Sequence, residues 1–356
     1  MPELPEVETV ARDLRPRIVG ATLVGARNSW ARTLRTHTPE AFAEAVRGRR
    51  VEGVTRRAKL VVIELSGDAA LTIHLKMTGQ LLVVPATTPE DPYLRLVLEL
   101  EDGRELRFRD IRKFGRVGLY GRDPATGELV AELGGAAVFA AFGPEPLDAA
   151  FSLRDFRRRL RHRSGRLKPL LLDQSFMAGI GNIYADEALW AARLHPLRTV
   201  GTLHPADERR LYDSIRRILG EAVERRGSSI DDYTAPDGDG SMQEHLRVYQ
   251  RTGEPCPRCG RPVKRIVIGA RSTHFCSFCQ RLGAADRKSA KAILRTISGG
   301  RQRTAGRWTD LAAEGTLGLT PAEASLAVSR ARTERTKRAA ATRRAAARAS
   351  ATIPEP

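Results

Sequence analysis

The sequence predicts an α+β protein with an N-terminal β-sandwich, a helical region and a C-terminal β-hairpin that carries four cysteines. Three observations predict this architecture. Residues 51–121 are dense in strand-forming segments, and residues 151–224 have apolar side chains at helical spacing. All four cysteines lie between positions 256 and 279. A tail rich in Ala and Arg follows from residue 283 to 356.

The first domain, residues 2–143, has the pattern of a β-sandwich entered by one helix. Apolar residues recur at helical spacing from about residue 5 to 17. Residues 94–100 alternate between apolar and polar and then turn at Asp102-Gly103 into another strand, which is a strong hairpin signal. The linker Gly143-Pro144-Glu145-Pro146 marks the end of this domain.

The second region, residues 150–226, is predicted to be helical. Gly179-Ile180-Gly181 forms a tight turn, and Asn182 opens the next helix. Such a turn offers backbone N–H groups and a favourable helix dipole to a phosphate. Alternatively, the glycines only allow two helices to pack closely. The polar segment at 227–245 is interpreted as a functional loop, or as a simple connector.

The third region, residues 246–282, contains two pairs of cysteines. Cys256 and Cys259 are separated by sixteen residues from the pair Cys276 and Cys279. Two such pairs place four thiolates around one zinc ion, and four protein ligands make the zinc structural. Residues 269–274 are expected at the hairpin tip, which would put Arg271 on a rigid projection.

The charge of the chain indicates a polyanionic partner. The formal net charge is +18 and the pI is near 10.6, which favours nucleic acid. From residue 283 onward, 15 Lys and Arg face 6 Asp and Glu, so half of the excess lies in the preceding body. We interpret residues 283–356 as a largely disordered basic tail that raises non-specific affinity, or as a linker without function.

Other features bear on the location of the protein. No long apolar run indicates a membrane-spanning helix, and the acidic N-terminus lacks a signal-peptide segment. No cysteine outside the two pairs is present to form disulfides elsewhere. We therefore expect a cytoplasmic protein that does not associate with membranes.

The N-terminus could carry chemistry. If Met1 is removed, Pro2 exposes a secondary amine with Glu3 beside it and Glu6 one helical turn further on. A neutral amine can attack an electrophilic carbon and form a Schiff base. The alternative is that Pro5 starts a helix whose Glu residues complement its dipole.

Several polar side chains of the first domain, together with Met77 and Phe114, are also candidates. Lys59 opens an apolar strand, and His74 and Met77 lie where another strand ends. Arg112 and Phe114 combine cations with an aromatic ring on a loop, as in proteins that wedge apart duplex DNA. The alternatives are a solvated strand end, an ordinary surface His beside a core Met, and an ordinary loop.

Three separated motifs carry a resemblance to one family. They are the N-terminal Pro-Glu-Leu-Pro-Glu-Val-Glu-Thr, the segment from Leu170 to Leu189 with its Gly-Ile-Gly-Asn, and the four-cysteine hairpin. Together they resemble the formamidopyrimidine-DNA glycosylases, bifunctional bacterial enzymes that remove oxidised purines such as 8-oxoguanine. The resemblance covers about residues 2–282.

The resemblance implies the organisation of the chain and its partners. Residues 150–226 would be a helix-two-turn-helix DNA-binding domain, and residues 227–245 would be a loop that caps the extruded lesion. The protein would be a monomer, and its partner would be damaged double-stranded DNA. One structural zinc ion and no organic cofactor are expected.

The resemblance also implies catalytic roles. Pro2 would attack the sugar C1′ of a flipped nucleotide, Glu3 would move protons, and Glu6 would support the site. Lys59 would transfer a proton during β-elimination. Arg271 would hold the lesion phosphate and assist δ-elimination.

DNA contacts are implied at six further positions: His74, Met77, Arg112, Phe114, Lys168 and Asn182. The trio Met77, Arg112 and Phe114 would fill the space left by the flipped base. Lys168 and Asn182 would bind phosphates.

Two alternatives remain for the function. The first is a glycosylase of the endonuclease VIII type, which prefers oxidised pyrimidines. The second is a non-catalytic zinc-finger protein that binds DNA. The chain departs from the family pattern at Tyr93, where the family often has His, and at the end of the capping loop.

Overall fold

The computed structural model describes residues 1–131, 135–229 and 240–299. The predicted capping loop therefore lies largely outside the described residues, and the tail from residue 300 lies wholly outside them. Eleven strands are described: β1 (Leu23–Asn28), β2 (Val51–Arg57), β3 (Leu60–Leu65), β4 (Ala69–His74), β5 (Gly79–Pro85), β6 (Leu94–Leu100), β7 (Arg104–Asp110), β8 (Arg116–Arg122), β9 (Leu129–Val130), β10 (Lys264–Ile268) and β11 (Arg271–Phe275). Eight α-helices are described: α1 (Leu4–Ile18), α2 (Pro39–Val46), α3 (Leu153–Arg161), α4 (Leu167–Leu172), α5 (Asn182–Ala191), α6 (Pro205–Glu224), α7 (Met242–His245) and α8 (Ala284–Gly299).

The first domain is a sandwich of two antiparallel sheets. One sheet has the order β1-β6-β7-β5 and the other the order β2-β3-β4-β8-β9. Their inward-facing Val, Leu and Ile side chains share one apolar core. The hairpin predicted at Asp102-Gly103 joins β6 to β7, where Gly103 has a φ of +81°. The predicted α+β fold with this sandwich is confirmed by the structure.

Helix α1 joins the two larger domains. Val7, Val10 and Leu14 on its apolar stripe belong to the core of the sandwich. Leu4, the first residue of α1, belongs instead to the core of the helical domain. The Leu4 N–H donates to the Gly179 carbonyl at 2.9 Å. The start of α1 is therefore held between the two domains, and the residues before it lie at their junction.

The helical domain is built from α3, α4, α5 and α6 around a second apolar core. The predicted turn between helices lies at residues 179–181, and α5 begins at Asn182 as expected. Gly179 has a φ of +88°, a conformation that favours glycine. This turn brings the N-terminus of α5 against the start of α1.

The C-terminal hairpin consists of β10 and β11, paired in an antiparallel register from Lys264 with Phe275 to Ile268 with Arg271. Only Gly269 and Ala270 form its turn, and both have positive φ. The expectation that residues 269–274 form the tip was too broad, because strand pairing extends to the last residue before the turn. Arg271 is the first residue of β11 and still projects from the end of the hairpin.

The folded region continues past the predicted start of the tail at residue 283. Helix α8 covers 284–299 and packs its Ala290, Ile293 and Leu294 against the hairpin. Among the helices that the structure describes, none is both long and apolar enough to cross a membrane.

Candidate active site

An open cleft lies at the junction of the sandwich, the helical domain and the hairpin. The empty space of the cleft, counted together with the solvent at its open mouth, is about 810 Å³. Its walls come from all three regions: Met1, Pro2, Glu3, Glu6, Lys59, Met77, Leu172, Gly181, Asn182, Ile183, Ser228, Tyr249 and Arg271. All five residues expected to carry catalysis are in this set.

Glu3 lies at the N-terminus of α5. Its carboxylate accepts hydrogen bonds from the backbone N–H groups of Gly181 at 2.6 Å and Ile183 at 2.8 Å. Only 2% of Glu3 is exposed. Burial raises the pKa of Glu3, the neighbouring Glu6 adds to the rise, and Lys59 and the backbone N–H groups oppose it. The environment thus favours the protonated acid more than water does, while fixing the orientation of the carboxyl group.

Glu6 lies behind Glu3 and orders the start of α1. It accepts hydrogen bonds from the Glu3 N–H at 2.8 Å, the Tyr184 hydroxyl at 2.5 Å and the Ser228 N–H at 2.8 Å. Glu6 is 2% exposed. Each of its buried carboxylate oxygens accepts at least one hydrogen bond. This arrangement makes Glu6 a positioning residue for the backbone that carries Pro2 and Glu3.

Lys59 enters the cleft from the turn between β2 and β3. The preceding residue, Ala58, has a φ of +55°, which turns the chain so that Lys59 points inward rather than along the strand end. The side chain is 7% exposed. Burial lowers the pKa of Lys59, and the nearby Glu3 and Glu6 oppose this effect. A larger fraction of its amine is therefore neutral than for an exposed lysine.

Arg271 closes the cleft from the hairpin side. Its side chain is exposed, and within the described part of the chain no carboxylate pairs with its guanidinium. Its positive charge is close enough to lower the pKa of Lys59. Arg271 therefore offers hydrogen-bond donors to an anionic group that enters the cleft.

Pro2 lies beside Glu3 and is buried. Met1 precedes it and also lines the cleft. While Met1 is attached, the nitrogen of Pro2 is an amide and is not nucleophilic. Removal of Met1 would leave a secondary amine at the same place.

The loop with Arg112 and Phe114 lies at the end of β7 and is shaped by Asp110. The buried Asp110 carboxylate accepts from the Thr78 hydroxyl at 2.5 Å and the Gly115 N–H at 2.7 Å. Phe114 is 46% exposed, and the Arg112 guanidinium lies 5.1 Å from the centre of its ring. An exposed aromatic ring on an anchored loop is the arrangement required of a wedge.

Met77 follows β4 and is one of the residues that line the cleft. His74, at the end of the same strand, accepts a hydrogen bond on Nδ1 from the Lys76 N–H at 3.1 Å. Burial lowers the pKa of His74 to about 3, with Lys76 and Lys59 adding to the effect. Any contact of His74 with DNA would therefore come from a neutral ring.

The surroundings of Lys168 argue against its expected contact with a phosphate. The side chain is fully buried, and its Nζ lies 2.6 Å from the Asp186 carboxylate. It also donates to the Ser272 carbonyl at 2.8 Å. Burial on α4 between α5 and β11 directs the charge inward, so Lys168 links the helical domain to the hairpin.

Of the two interpretations of the Gly-rich turn, phosphate binding is not favoured for two of its N–H groups. Those of Gly181 and Ile183 already donate to the carboxyl group of Glu3. Asn182 lines the cleft, and its Oδ1 has no hydrogen-bond partner among the residues that the structure describes. Its contact with a phosphate stays a prediction.

The four cysteines fit a zinc ion. Their sulfur atoms lie within 4.8 Å of one another, with Cys259 and Cys276 at 3.5 Å and Cys256 and Cys279 at 4.0 Å. A tetrahedron with Zn–S bonds of about 2.3 Å has sulfur atoms about 3.8 Å apart. With four thiolates the coordination shell is complete, so zinc held here would stabilise the hairpin and take no part in catalysis.

Sequence reasoning did not find the residues that support the site. Asp110 shapes the loop that carries Arg112 and Phe114. Asp186 pairs with Lys168, and Tyr184 and Ser228 donate hydrogen bonds to Glu6. The only sequence signal was that Tyr184 and Asp186 follow the Gly-Ile-Gly-Asn turn on one short helix. Nothing in the sequence places Ser228 beside residue 6.

Comparisons with known proteins agree with this geometry. Three family models match: the formamidopyrimidine-DNA glycosylase N-terminal domain at residues 1–117, the formamidopyrimidine-DNA glycosylase H2TH domain at 142–234, and the zinc finger found in FPG and IleRS at 253–282. The chain belongs to the formamidopyrimidine-DNA glycosylase family. Residues 118–141, 235–252 and 283–356 lie outside the matched residues.

Similar proteins cover the same region. The formamidopyrimidine-DNA glycosylases of Herpetosiphon aurantiacus and Chloroflexus aurantiacus are each 48% identical over 282 residues, which is 79% of this chain and 100% and 98% of theirs. The solved structure of the Lactococcus lactis Fpg with DNA containing an abasic site is 36% identical, with a TM-score of 0.72 over 79% of this chain and all of that one. MutM in complex with DNA containing carbocyclic 8-oxo-G is also 36% identical, with a TM-score of 0.71 over the same shares.

Proposed function

We propose that this chain is a base-excision-repair DNA glycosylase that removes oxidised purines from duplex DNA and then cleaves the strand as an abasic-site lyase. The observation that carries the proposal is the convergence of Pro2, Glu3, Lys59 and Arg271 on one cleft from three regions of the chain. A protein that only binds DNA has no need of a buried acid and a buried amine at one point. The basic charge of the chain and its membership of this family support DNA as the substrate.

The glycosylase step uses the amine of Pro2 after Met1 is removed. The nitrogen lone pair forms a bond to the sugar C1′ while the bond from C1′ to the base breaks and its electrons leave with the base. Glu3, whose pKa is raised, supplies a proton to this step. After the base has left, the Pro2 nitrogen loses its proton, and its lone pair forms a double bond to C1′. The C1′–O4′ bond breaks, O4′ takes up a proton, and the open sugar is joined to Pro2 as an iminium ion, the Schiff base of a secondary amine.

The lyase step follows from the Schiff base, which makes the protons on C2′ acidic. Lys59 in its neutral form takes one of them, and the 3′ phosphate leaves with the electrons of its C–O bond. In a second elimination, C4′ loses its proton, and the 5′ phosphate leaves with the electrons of the C5′–O bond. Arg271, whose guanidinium is exposed at the cleft, would hold the phosphate by charge-assisted hydrogen bonds as it leaves.

A base inside a duplex cannot reach the cleft, so the nucleotide must be extruded. Met77 lines the cleft, and Arg112 and Phe114 lie on a loop of the same domain. We infer that they fill the space that the base vacates. The protein would act as a monomer on DNA in the cytoplasm.

Excision assays on two duplexes test the choice of substrate. We expect faster release of 8-oxoguanine opposite C than of thymine glycol opposite A under single-turnover conditions. Preference for thymine glycol would favour the endonuclease VIII type of specificity instead. Absence of release from both would leave the non-catalytic alternative.

A further inference from the structure

Helix α8 is an addition to the part of the chain that the family models match. It begins at Ala284, directly after the zinc-finger match ends at residue 282. The 282 residues aligned with the Herpetosiphon aurantiacus protein account for the whole of that protein. Helix α8 therefore lies beyond the length of that protein, and we asked what it does in this chain.

The apolar face of α8 packs on one face of the hairpin. Ala290 is fully buried, and it belongs to one cluster with Ile266 and Ile268 of β10 and Phe275 of β11. Leu197, from the loop after α5, completes this cluster. The helix therefore covers apolar side chains of the hairpin and joins them to the helical domain.

Polar contacts on the same face fix the first turns of α8 to the helical domain. The Asp286 carboxylate, 5% exposed, accepts from the Thr199 N–H at 3.1 Å and the Thr202 hydroxyl at 3.2 Å. The Arg166 guanidinium donates to the Ser289 carbonyl at 2.9 Å. These bonds set both the position and the rotation of the helix.

The free edge of β11 contacts α5 and α4. Asp186 accepts from the His274 N–H at 2.8 Å, and Lys168 donates to the Ser272 carbonyl at 2.8 Å. The backbone N–H and C=O groups of a strand lie in the plane of its sheet, so these contacts hold the edge and leave the face with Ile266 and Phe275 to α8. The hairpin is thus held at one edge and on one face.

We propose that α8 is a brace that fixes the hairpin and thereby positions Arg271 at the cleft. Ile268 pairs with Arg271 in the register of the hairpin, and Ile268 lies in the cluster that α8 covers. The apolar cluster that contains Ala290 of α8 therefore extends to the residue paired with Arg271. The part of this inference that concerns elimination rests on the function proposed above, whereas the part that concerns the hairpin does not.

Two matched pairs of variants isolate the brace. Deletion of 283–356 removes α8 and the tail, whereas deletion of 300–356 removes the tail alone. Ala290→Glu places a charge on the buried face, whereas Ala292→Glu makes the same change on the exposed face of the same helix. The change in net charge is equal within the second pair, so non-specific attraction to DNA changes equally.

Hydrogen exchange of residues 264–275 without DNA is the first readout. We expect exchange at least about tenfold faster in Ala290→Glu and in the longer deletion, because an unbraced hairpin opens more often. Ala292→Glu and the shorter deletion should match the intact protein. Equal protection of the hairpin in all five proteins would overturn the proposal.

The ratio of δ- to β-elimination products on an abasic duplex is the second readout. In Ala290→Glu we expect this ratio to fall severalfold while the yield of borohydride-trapped adduct stays unchanged, since Pro2 and Glu3 do not contact α8. A general loss of folding would lower both quantities. An unchanged ratio together with faster exchange of the hairpin would refute the claim that α8 positions Arg271. Failure to trap any adduct with the intact protein would refute the proposed function and not the brace.

Discussion

The backbone N–H of Gly181 donates a hydrogen bond of 2.6 Å to the carboxylate of Glu3, which lies 178 residues earlier in the chain. The N-terminus of a helix attracts anions through its free N–H groups and its dipole. Here α5 uses that property to hold the carboxyl group of Glu3 at the cleft. In the proposed mechanism, the Gly-rich turn therefore positions the acid.

Substitution of Gly181 should therefore disable Glu3. A Cβ at this position would lie 2.4 Å from the Glu3 carboxyl carbon, so Gly181→Ala must displace the acid. A displacement of about 1 Å can cost about a hundredfold in rate, and we expect a loss of this order in single-turnover excision. Gly220→Ala is the matched control, because a Cβ there meets no atom within 4 Å. Equal rates for the two variants would show that the position of Glu3 does not limit catalysis.

The pH dependence of β-elimination should report on Lys59. Burial places its pKa below the usual 10.5, so the neutral amine forms at lower pH than in an exposed lysine. The β-elimination rate should rise with pH through this lowered pKa and level off above it. Lys59→Arg keeps the positive charge but has no accessible neutral form, so its rate should be low and lack this rise. An identical profile for the variant would exclude Lys59 as the base.

Disruption of the buried Lys168–Asp186 pair should destabilise the protein rather than change its DNA contacts. Lys168→Met leaves the Asp186 charge without its ammonium partner, which costs about 3–5 kcal/mol for a buried pair. The double variant with Asp186→Asn should recover part of this loss in urea unfolding.

If Lys168 contacted a phosphate, the slope of log affinity against log salt would fall by about 1. We expect an unchanged slope, with Arg163→Met as a control for loss of a more exposed cation.

Phe114 should matter for lesion recognition and not for stability. Phe114→Ala removes an exposed ring from a loop that Asp110 holds in place, so unfolding should change by less than about 0.5 kcal/mol. Binding and excision of 8-oxoguanine in duplex DNA should both weaken, whereas cleavage of an abasic site in single-stranded DNA should change little. Val19→Ala removes an exposed apolar side chain of similar exposure far from the loop and should change neither activity. Undiminished excision by Phe114→Ala would exclude the wedge.

Local patterns of the sequence predicted much of the fold. The spacing of apolar residues predicted α1 to within a residue at each end, and the two cysteine pairs predicted the hairpin. Pro2 and Glu3 were identified as candidates for catalysis because an N-terminal amine and a carboxylate stand next to each other in the sequence. Such features depend on neighbours in the chain, which the sequence displays directly.

The errors concern burial and contacts between distant segments. A lysine among cations suggests a phosphate contact, yet tertiary packing turns Lys168 inward toward Asp186. A phosphate was one of two interpretations for the N–H groups of the Gly-rich turn, because the sequence gives no sign that Glu3 reaches them. Helix α8 was assigned to the tail, although Ala290, Ile293 and Leu294 follow helical spacing and could have indicated it.

The most direct test of the account is borohydride reduction during turnover on a duplex with an abasic site. Protein from which Met1 has been removed should form a covalent adduct, and mass spectrometry should place the DNA remnant on the nitrogen of Pro2. The same protein with an uncleaved N-terminal extension, in which that nitrogen is an amide, should form none. Absence of an adduct from the Met-free protein, or an adduct on a lysine with Pro2 unmodified, would contradict the central claim.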